Sequence, residues 1–195
     1  MAAGENKTRF GASLAAITAA LTLILVAGPV AEEADAASPC VRWGKTNPAK
    51  LSNPEARKAV LCLVNKQRTR HGLSKLDRDR DLQKAAQNHS EWMKNHGCFA
   101  HECPGEKTVQ QRLAGVGYLI SGLLRWAYGE NIAYGEDSAG TPKKMVQAWM
   151  NSSGHRANIL NPSFRDLGVG FVRGTPNDPN EVGGTYTTDF GLSIH

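Results

Sequence analysis

Apolar residues recur at a helical spacing in the first half of the chain. The first stripe follows Asn53 and consists of Ala56, Ala59, Val60, Leu63 and Val64. Because residues three and four positions apart share one face of a helix, this stripe predicts an amphipathic helix. Asn53 is its predicted cap, Pro54 suits the first helical position, and His71-Gly72 is the predicted end.

A second stripe predicts another helix that begins near Asp79 and ends at Asn95-His96-Gly97. Its apolar face consists of Leu82, Ala85, Ala86, His89 and Met93. A histidine on such a face is usually hydrogen-bonded within the core. We therefore interpret His89 as a core residue rather than as a ligand.

Shorter helices are predicted further along the chain. One spans residues 108 to 114. Another is capped by Thr141, starts with Pro142, and is broken at Gly154 before one more turn that ends ahead of Pro162. Its predicted inner face contains Met145, Val146, Trp149 and Met150. Met and Trp at this spacing indicate a core face.

Strand signals are concentrated in the second half of the chain. The segment "WAYGENIAYG" indicates a short strand or turn, and residues 115 to 125 before it are apolar without a clear period. The clearest strands are "DLGVGFV" and "GGTYTTDFGLSI", and the Pro/Asn/Gly-rich residues 174 to 184 between them suit a hairpin. Because the helices precede the main strands, the order favours an α+β fold over a βαβ array.

The first 36 residues are typical of a secretory signal peptide. Lys7 and Arg9 are followed by an uncharged apolar stretch over residues 10 to 31, and Ala34-Asp35-Ala36 provides the small residues that signal peptidase accepts. We expect cleavage after Ala36 and secretion, with an uncleaved membrane anchor as the alternative and no further membrane span. The remainder is predicted to be a tail over residues 37 to 52, tied by Cys40, and one domain over residues 53 to 195.

The net charge of the chain does not identify a partner. The whole chain carries a formal net charge of +5, and the predicted signal peptide contains more acids than bases, so the mature chain is more basic. A basic surface favours anionic wall polymers or membranes, but these bases are scattered and are typical of a solvated surface. No nucleic-acid-binding motif accompanies them, so no nucleic-acid partner is predicted.

All four cysteines follow the predicted signal peptide, and an even number in an exported chain predicts two disulfides. Of the three pairings, sequence proximity favours Cys98–Cys103, which leaves Cys40–Cys62. The alternative for the stretch "CFAHEC" is a zinc site with thiolates of Cys98 and Cys103 beside His101. That site needs reduced thiols, which export disfavours.

Three short polar segments that contain or adjoin glycine each include one titratable candidate: His101 in "FAHEC", Glu130 in "GENIAYG" and His155 in "SSGHRANIL". Together with "VLCLVNKQRTRHGLSKLDRDRDLQKAAQNHSEWM", "NPSFRDLGVG" and "GGTYTTDFG", they resemble the signature segments of the CAP superfamily (cysteine-rich secretory proteins, antigen 5 and pathogenesis-related 1). Within it they resemble the compact bacterial branch, the SCP-like extracellular proteins. The resemblance covers roughly residues 55 to 195 in the expected order.

The resemblance implies a three-layer α-β-α sandwich around a small, largely antiparallel sheet. It also implies a cleft lined by His101, Glu130 and His155. The two histidines with Glu130 are the ligand set of an open site for zinc or another divalent cation, and the alternative is that the three side chains hydrogen-bond one another and order the cleft. No cofactor is otherwise required. The interval where plant and animal members carry a second acid, residues 150 to 154, contains no carboxylate here.

Binding without turnover is the preferred prediction, with a small molecule, a lipid near "YLISGLLRW" or an envelope component as the partner. An extracellular hydrolase is the first alternative, since Ser152 and Ser153 are close to His155, but no GxSxG elbow is present. Glycoside cleavage needs a second carboxylate besides Glu130, and the candidates are Glu102, Glu106 and Glu136. A structural or interaction module of the cell envelope is the remaining alternative.

Overall fold

The computed structural model describes residues 38 to 194. The predicted signal peptide, its cleavage site and the alternative anchor lie outside these residues. Within them, no helix combines the length and the apolar character that a membrane crossing requires.

Six helices and four strands make up the described part of the chain. The helices are α1 (Pro39–Arg42), α2 (Asn53–Arg70), α3 (Arg80–His96), α4 (Val109–Gly115), α5 (Pro142–Asn151) and α6 (Ser153–Ile159). The strands are β1 (Asp77–Arg78), β2 (Arg125–Glu136), β3 (Asp166–Arg173) and β4 (Gly183–Ile194). Short 3-10 turns lie at Pro48–Lys50 and Asp137–Gly140.

The strands form one sheet in the order β1-β3-β4-β2. β3 and β4 form the predicted antiparallel hairpin, and β2 pairs antiparallel with the other side of β4 along its whole length. Only the short β1 is parallel to its neighbour β3. The segment "WAYGENIAYG" is therefore part of a long strand, and it reaches this length because β4 offers twelve residues of partner backbone.

Helices cover both faces of the sheet. α3 lies directly on β3, where Gly168 and Gly170 face the backbone of Leu82 and Ala86 so closely that a Cβ atom would collide with it. On the other face, the side chains of β3 and β4 pack against α2 and α5. This main core includes Val60, Val64, Met145, Val146, Trp149, Leu167, Val169, Phe171, Tyr186 and Phe190. The predicted α+β fold with an α-β-α sandwich is confirmed.

Local capping chemistry sets the helix ends. α3 begins and ends as predicted, because the Asp79 side chain accepts from Leu82 N at 2.8 Å and Gly97 adopts the left-handed conformation. α2 is capped by Ser52, and the prediction of Asn53 was wrong by one residue. The Glu55 carboxylate accepts from Ser52 N at 2.9 Å, which completes a capping box that Asn53 has no partner to form.

The break after α5 occurs at Ser152, and Gly154 lies inside α6, so the prediction of a break at Gly154 was wrong. Ser152 is extended, and its carbonyl accepts from Arg156 N at 2.8 Å, which starts the next helix. The same residue therefore ends one helix and begins the other.

Two disulfides are present, as expected. Cys40–Cys62 ties α1 to α2, and Cys98–Cys103 closes the loop that follows α3. This is the pairing that sequence proximity favours. The sulfurs of Cys98 and Cys103 are bonded to each other, so neither is available as a thiolate beside His101.

Candidate functional site

His101 and Glu130 are in direct contact. His101 lies in the loop closed by Cys98–Cys103, and its side chain is 49% exposed, whereas the Glu130 side chain on β2 is only 2% exposed. Nδ1 of His101 lies 2.7 Å from Oε1 of Glu130. The site therefore joins an accessible imidazole to a buried carboxyl group.

Arg112 of α4 holds both partners in place. Its Nη2 donates to Oε2 of Glu130 at 2.5 Å, and its Nη1 donates to the carbonyls of His101 and Lys107, each at 2.9 Å. Arg112 was not among the predicted site residues, since a base in a short polar helix gives no signal of burial. Its guanidinium fixes the loop of His101 to the strand of Glu130.

His89 and Glu106 complete the buried network behind Glu130. Nδ1 of His89 lies 2.9 Å from both carboxyl oxygens of Glu106, and its Nε2 lies 3.8 Å from Oε1 of Glu130. His89 is thus buried and hydrogen-bonded, as its apolar stripe predicts. Of the three acids considered for glycoside cleavage, Glu106 is engaged in this network, whereas Glu102 and Glu136 are exposed.

The surroundings of Glu130 keep it ionised. Burial by itself raises the pKa of this carboxyl group, but the hydrogen bond from His101 and the charges of His89 and Arg112 outweigh burial and hold the pKa below its usual range. A carboxylate only accepts hydrogen bonds, so Nδ1 of His101 carries the proton between them. In the neutral imidazole, Nε2 is then the acceptor.

His155 lines a shallow groove of about 310 Å³, and it is near enough to His101 for the charge of that ring to act on it. The groove is lined by Phe99, Ile132, Ala133, Tyr134, Ala148, Trp149, Ser152 and His155. Burial, and then the charge of His101, lower the pKa of His155 and favour its neutral form. No hydrogen bond among residues 38–194 joins the His155 side chain to His101 or Glu130.

Side-chain hydrogen bonds fix α5 and α6 against the outer edge of β2. Trp149 Nε1 donates to Ile132 O at 2.9 Å, and Asn158 Nδ2 donates to Glu130 O at 3.1 Å. Asn131 Nδ2 donates to the carbonyl of His155 at 3.0 Å. The first two bonds satisfy carbonyls at an otherwise unpaired strand edge, and the third links the backbone of His155 to the residue after Glu130.

The predicted cation ligands do not form a three-ligand arrangement. Within the described range 38–194, no three His, Cys, Asp or Glu side chains are placed to hold a metal ion. Both oxygens of Glu130 already accept hydrogen bonds from His101 and Arg112. The set of His101, Glu130 and His155 therefore does not fit a zinc site of three protein ligands.

A second missed residue, Asp189, lies on β4 directly opposite Glu130 and is 1% exposed. Alternation along "TYTTDFG" places it on the same face as Thr185 and Thr187. The sequence signal for Asp189 is an acid within an otherwise uncharged strand. That Glu130 is its neighbour follows only from the register of β2 and β4.

Removing the Cys98–Cys103 disulfide should loosen the His101 loop without unfolding the domain. For so short a loop, we expect the Cys98→Ser/Cys103→Ser variant to lose about 2 kcal/mol of stability. Amide hydrogen exchange should accelerate over residues 98 to 106, while circular dichroism remains unchanged. The matched control is Cys40→Ser/Cys62→Ser, which should destabilise the protein without selectively accelerating exchange in that loop. Unchanged exchange at residues 98 to 106 would show that the disulfide does not order the site.

Comparisons with known proteins give one consistent result. The model of the family "CAP: Cysteine-rich secretory protein family" matches residues 61–187. The chain is 37% identical over 147 residues to the uncharacterized protein YkwD of Bacillus subtilis (strain 168), covering 74% of this chain and 50% of that protein. It is 35% identical over 119 residues to the uncharacterized membrane protein YlbC of the same organism, covering 60% of this chain and 32% of that protein.

Solved structures similar to this chain include proteins of the same fold. An extracellular SCP-domain protein from Bacillus anthracis is 33% identical with a TM-score of 0.58, covering 71% of this chain and 40% of that one. An outer surface protein from Borrelia burgdorferi is 20% identical with a TM-score of 0.60, covering 73% and 96%, and this similarity concerns the fold alone. The chain spans half the length of YkwD and about a third of YlbC.

Proposed function

Since the chain belongs to the cysteine-rich secretory protein (CAP) family, in its bacterial SCP-like branch, we propose that it is an extracellular protein that binds a small ligand without turnover. The family match confirms what the sequence motifs indicate. Export is supported by the sequence up to Ala36 and by the two disulfides. In this proposal residues 1–36 are the signal peptide, residues 37–52 a tail, and residues 53–195 the binding domain.

The observation that carries the proposal is the fixed orientation of an accessible imidazole. An exposed histidine normally samples several rotamers, but His101 is held by Glu130, which is held in turn by Arg112. A buried ion pair is weak as a source of stability, because desolvation offsets its attraction. Its effect here is to fix the ring of His101, which in its neutral form presents Nε2 as a hydrogen-bond acceptor.

The groove beside His101 determines the class of ligand. Phe99 is 47% exposed and contacts Tyr134 edge-on, with 4.8 Å between the ring centroids. The Tyr134 hydroxyl accepts from Asn177 Nδ2 at 3.1 Å, which fixes the second ring. Aromatic surface next to an imidazole acceptor suits a small amphipathic molecule with a hydroxyl donor, and the groove volume lies at the lower end for small-molecule sites.

The hydrolase alternative lacks support from the arrangement of the groove. Ser152 and His155 both line it, but in the described part of the chain no hydrogen bond joins the Ser152 hydroxyl to His155. Glu130 is engaged by His101 and Arg112 and is therefore not free to orient His155. An activated nucleophile needs such a chain of contacts.

The proposal is tested by titrating the purified protein with medium-chain 1,2-diols and monoacylglycerols. We expect saturable NMR shift changes at Phe99, His101 and His155. Loss of one hydrogen bond should make His101→Ala bind roughly threefold to tenfold more weakly, and Phe99→Ala should weaken binding as well. His96→Ala, which changes an exposed histidine outside the groove lining, is the matched control and should bind like the wild type.

The other functions give different results in the same experiment. Zinc should produce no thermal shift that depends on both His101 and His155; such a shift would support a cation site instead. Cleavage of peptides or glycans that is lost in His155→Ala would support a hydrolase. If neither amphipathic probe binds, the proposed function is wrong and a structural role in the envelope gains support.

A further inference from the structure

Asp189 and Glu130 are side by side on the face of the sheet covered by α3. They are directly paired in the antiparallel register of β2 and β4. Directly opposed residues have Cβ atoms roughly 4.5–5.5 Å apart and point to the same face. On the other side of Asp189 the register partner is Gly168, which has no side chain. Glu130 is therefore the polar neighbour of Asp189 within the sheet.

No donor from the described protein reaches Asp189. The residue is 1% exposed, and neither carboxyl oxygen has a hydrogen-bond partner within residues 38–194. A buried carboxylate without donors is strongly unfavourable. Two facing carboxylates form no hydrogen bond until one of them carries a proton.

The surrounding charges also favour a protonated Asp189. The groups that face Asp189 or its partner are Glu130 on β2, Glu106 and His101 in the loop, Arg112 on α4 and His89 on α3. Three carboxyl groups thus share one permanent cation. Burial, followed by the negative charge of Glu130, raises the pKa of Asp189 well above its usual range, although Arg112 opposes this shift.

We propose that Asp189 is a positioning residue of the site: it stays protonated in the native protein and donates its O–H to the Glu130 carboxylate. The donated proton gives Glu130 a third hydrogen bond besides those from His101 and Arg112. It also leaves the pair with a single negative charge. Glu130 is thereby held in the orientation in which it fixes the accessible imidazole of His101.

The test is Asp189→Asn, since the amide is nearly isosteric and its N–H₂ donates to Glu130 as the acid does. In the wild type, the unfolded chain loses the Asp189 proton above about pH 4 while the native chain keeps it. Native stability therefore falls with rising pH through this window, until the native group itself titrates. Asparagine lacks this penalty. We expect equal melting points near pH 4 and a variant that melts roughly 3 °C or more higher at pH 7.

A spectroscopic readout separates positioning from a purely structural role. The His101 Nδ1–H proton, observed by ¹H–¹⁵N NMR, should persist in Asp189→Asn and be weakened in Asp189→Ala, which provides no donor. Glu102→Gln, an exposed acid next to His101, is the control and should change neither the signal nor the pH dependence. An equal Nδ1–H signal in the alanine variant would show that Asp189 does not position Glu130.

The opposite stability profile would overturn the proposal. If Asp189→Asn is less stable than the wild type at pH 7 but not at pH 4, Asp189 is ionised in the native state. If the variant does not fold, the ¹³Cγ signal of Asp189 in the wild type decides: a protonated carboxyl at pH 7 supports the proposal, and an ionised one refutes it. These measurements use the free protein, so they stand apart from the binding of amphipathic ligands.

Discussion

Replacing Arg112 with methionine is expected to destabilise the protein by about 3–5 kcal/mol at pH 7. The Arg112 side chain is 6% exposed, and its guanidinium donates to Glu130 at 2.5 Å and lies 3.6 Å from Oε2 of Glu106. Methionine fills a similar volume but leaves both carboxylates without their permanent cation. The loss should be measured by urea denaturation.

The pH dependence of this loss identifies its cause. The pKa of Glu130 is held low in the folded state, so its contribution to stability is present above about pH 4 and is lost as the pH falls through the folded pKa. Without Arg112 the Glu130 pKa should rise, because burial then meets less opposition. The difference between the wild type and Arg112→Met should therefore be largest at neutral pH and shrink below about pH 4.

Two further variants control for packing. Arg125→Met changes an exposed arginine and should alter stability by less than about 0.5 kcal/mol. The double variant Arg112→Met/Glu130→Gln removes both charges of the pair and should be less destabilised than the two single changes predict when added. A loss from Arg112→Met that is small and independent of pH would contradict the placement of Arg112 among buried acids.

Much of the fold follows from local sequence signals. Asp79 and Gly97 define α3 because a cap and a left-handed glycine are requirements of the backbone itself. The error at the start of α2 has a local cause as well. Ser52 and Asn53 are both good caps, and the choice between them depends on Glu55, three residues after Ser52.

The site was less accessible to sequence reasoning because its contacts join distant residues. His101 and Glu130 were selected by their resemblance to family motifs, and only the folded chain shows the contact between them. Arg112 carries no periodic signal, and the role of Asp189 depends on the register of β2 with β4. The candidate site thus comprises accessible residues that motifs indicate and buried residues that topology supplies.

Arg68 should be as important for the fold as Arg112 is for the site. It is 1% exposed, and no ion-pair partner of it is present in residues 38–194. Its guanidinium donates instead to carbonyl oxygens in the loop after α2 and in the stretch from the last residue of α6 to just before β3. The acceptors are Ser74 O at 2.8 Å, Ile159 O at 2.9 Å, Asn161 O at 2.8 Å and Phe164 O at 3.5 Å. One side chain therefore connects α2 and the loop after it with a stretch that lies 91 to 96 residues further along the chain.

We expect Arg68→Met to cost about 4 kcal/mol, since several buried carbonyls lose their donor at once. Arg68→Lys should recover only part of this, because a single ammonium does not reproduce the planar array of guanidinium donors. Arg70→Met lies on the same helix at an exposed position and should be nearly neutral, which separates burial from helix propensity. Thermal and urea denaturation of the three variants gives the comparison. If lysine restores full stability, charge alone explains the role of Arg68, and the carbonyl network contributes little to holding the segments together.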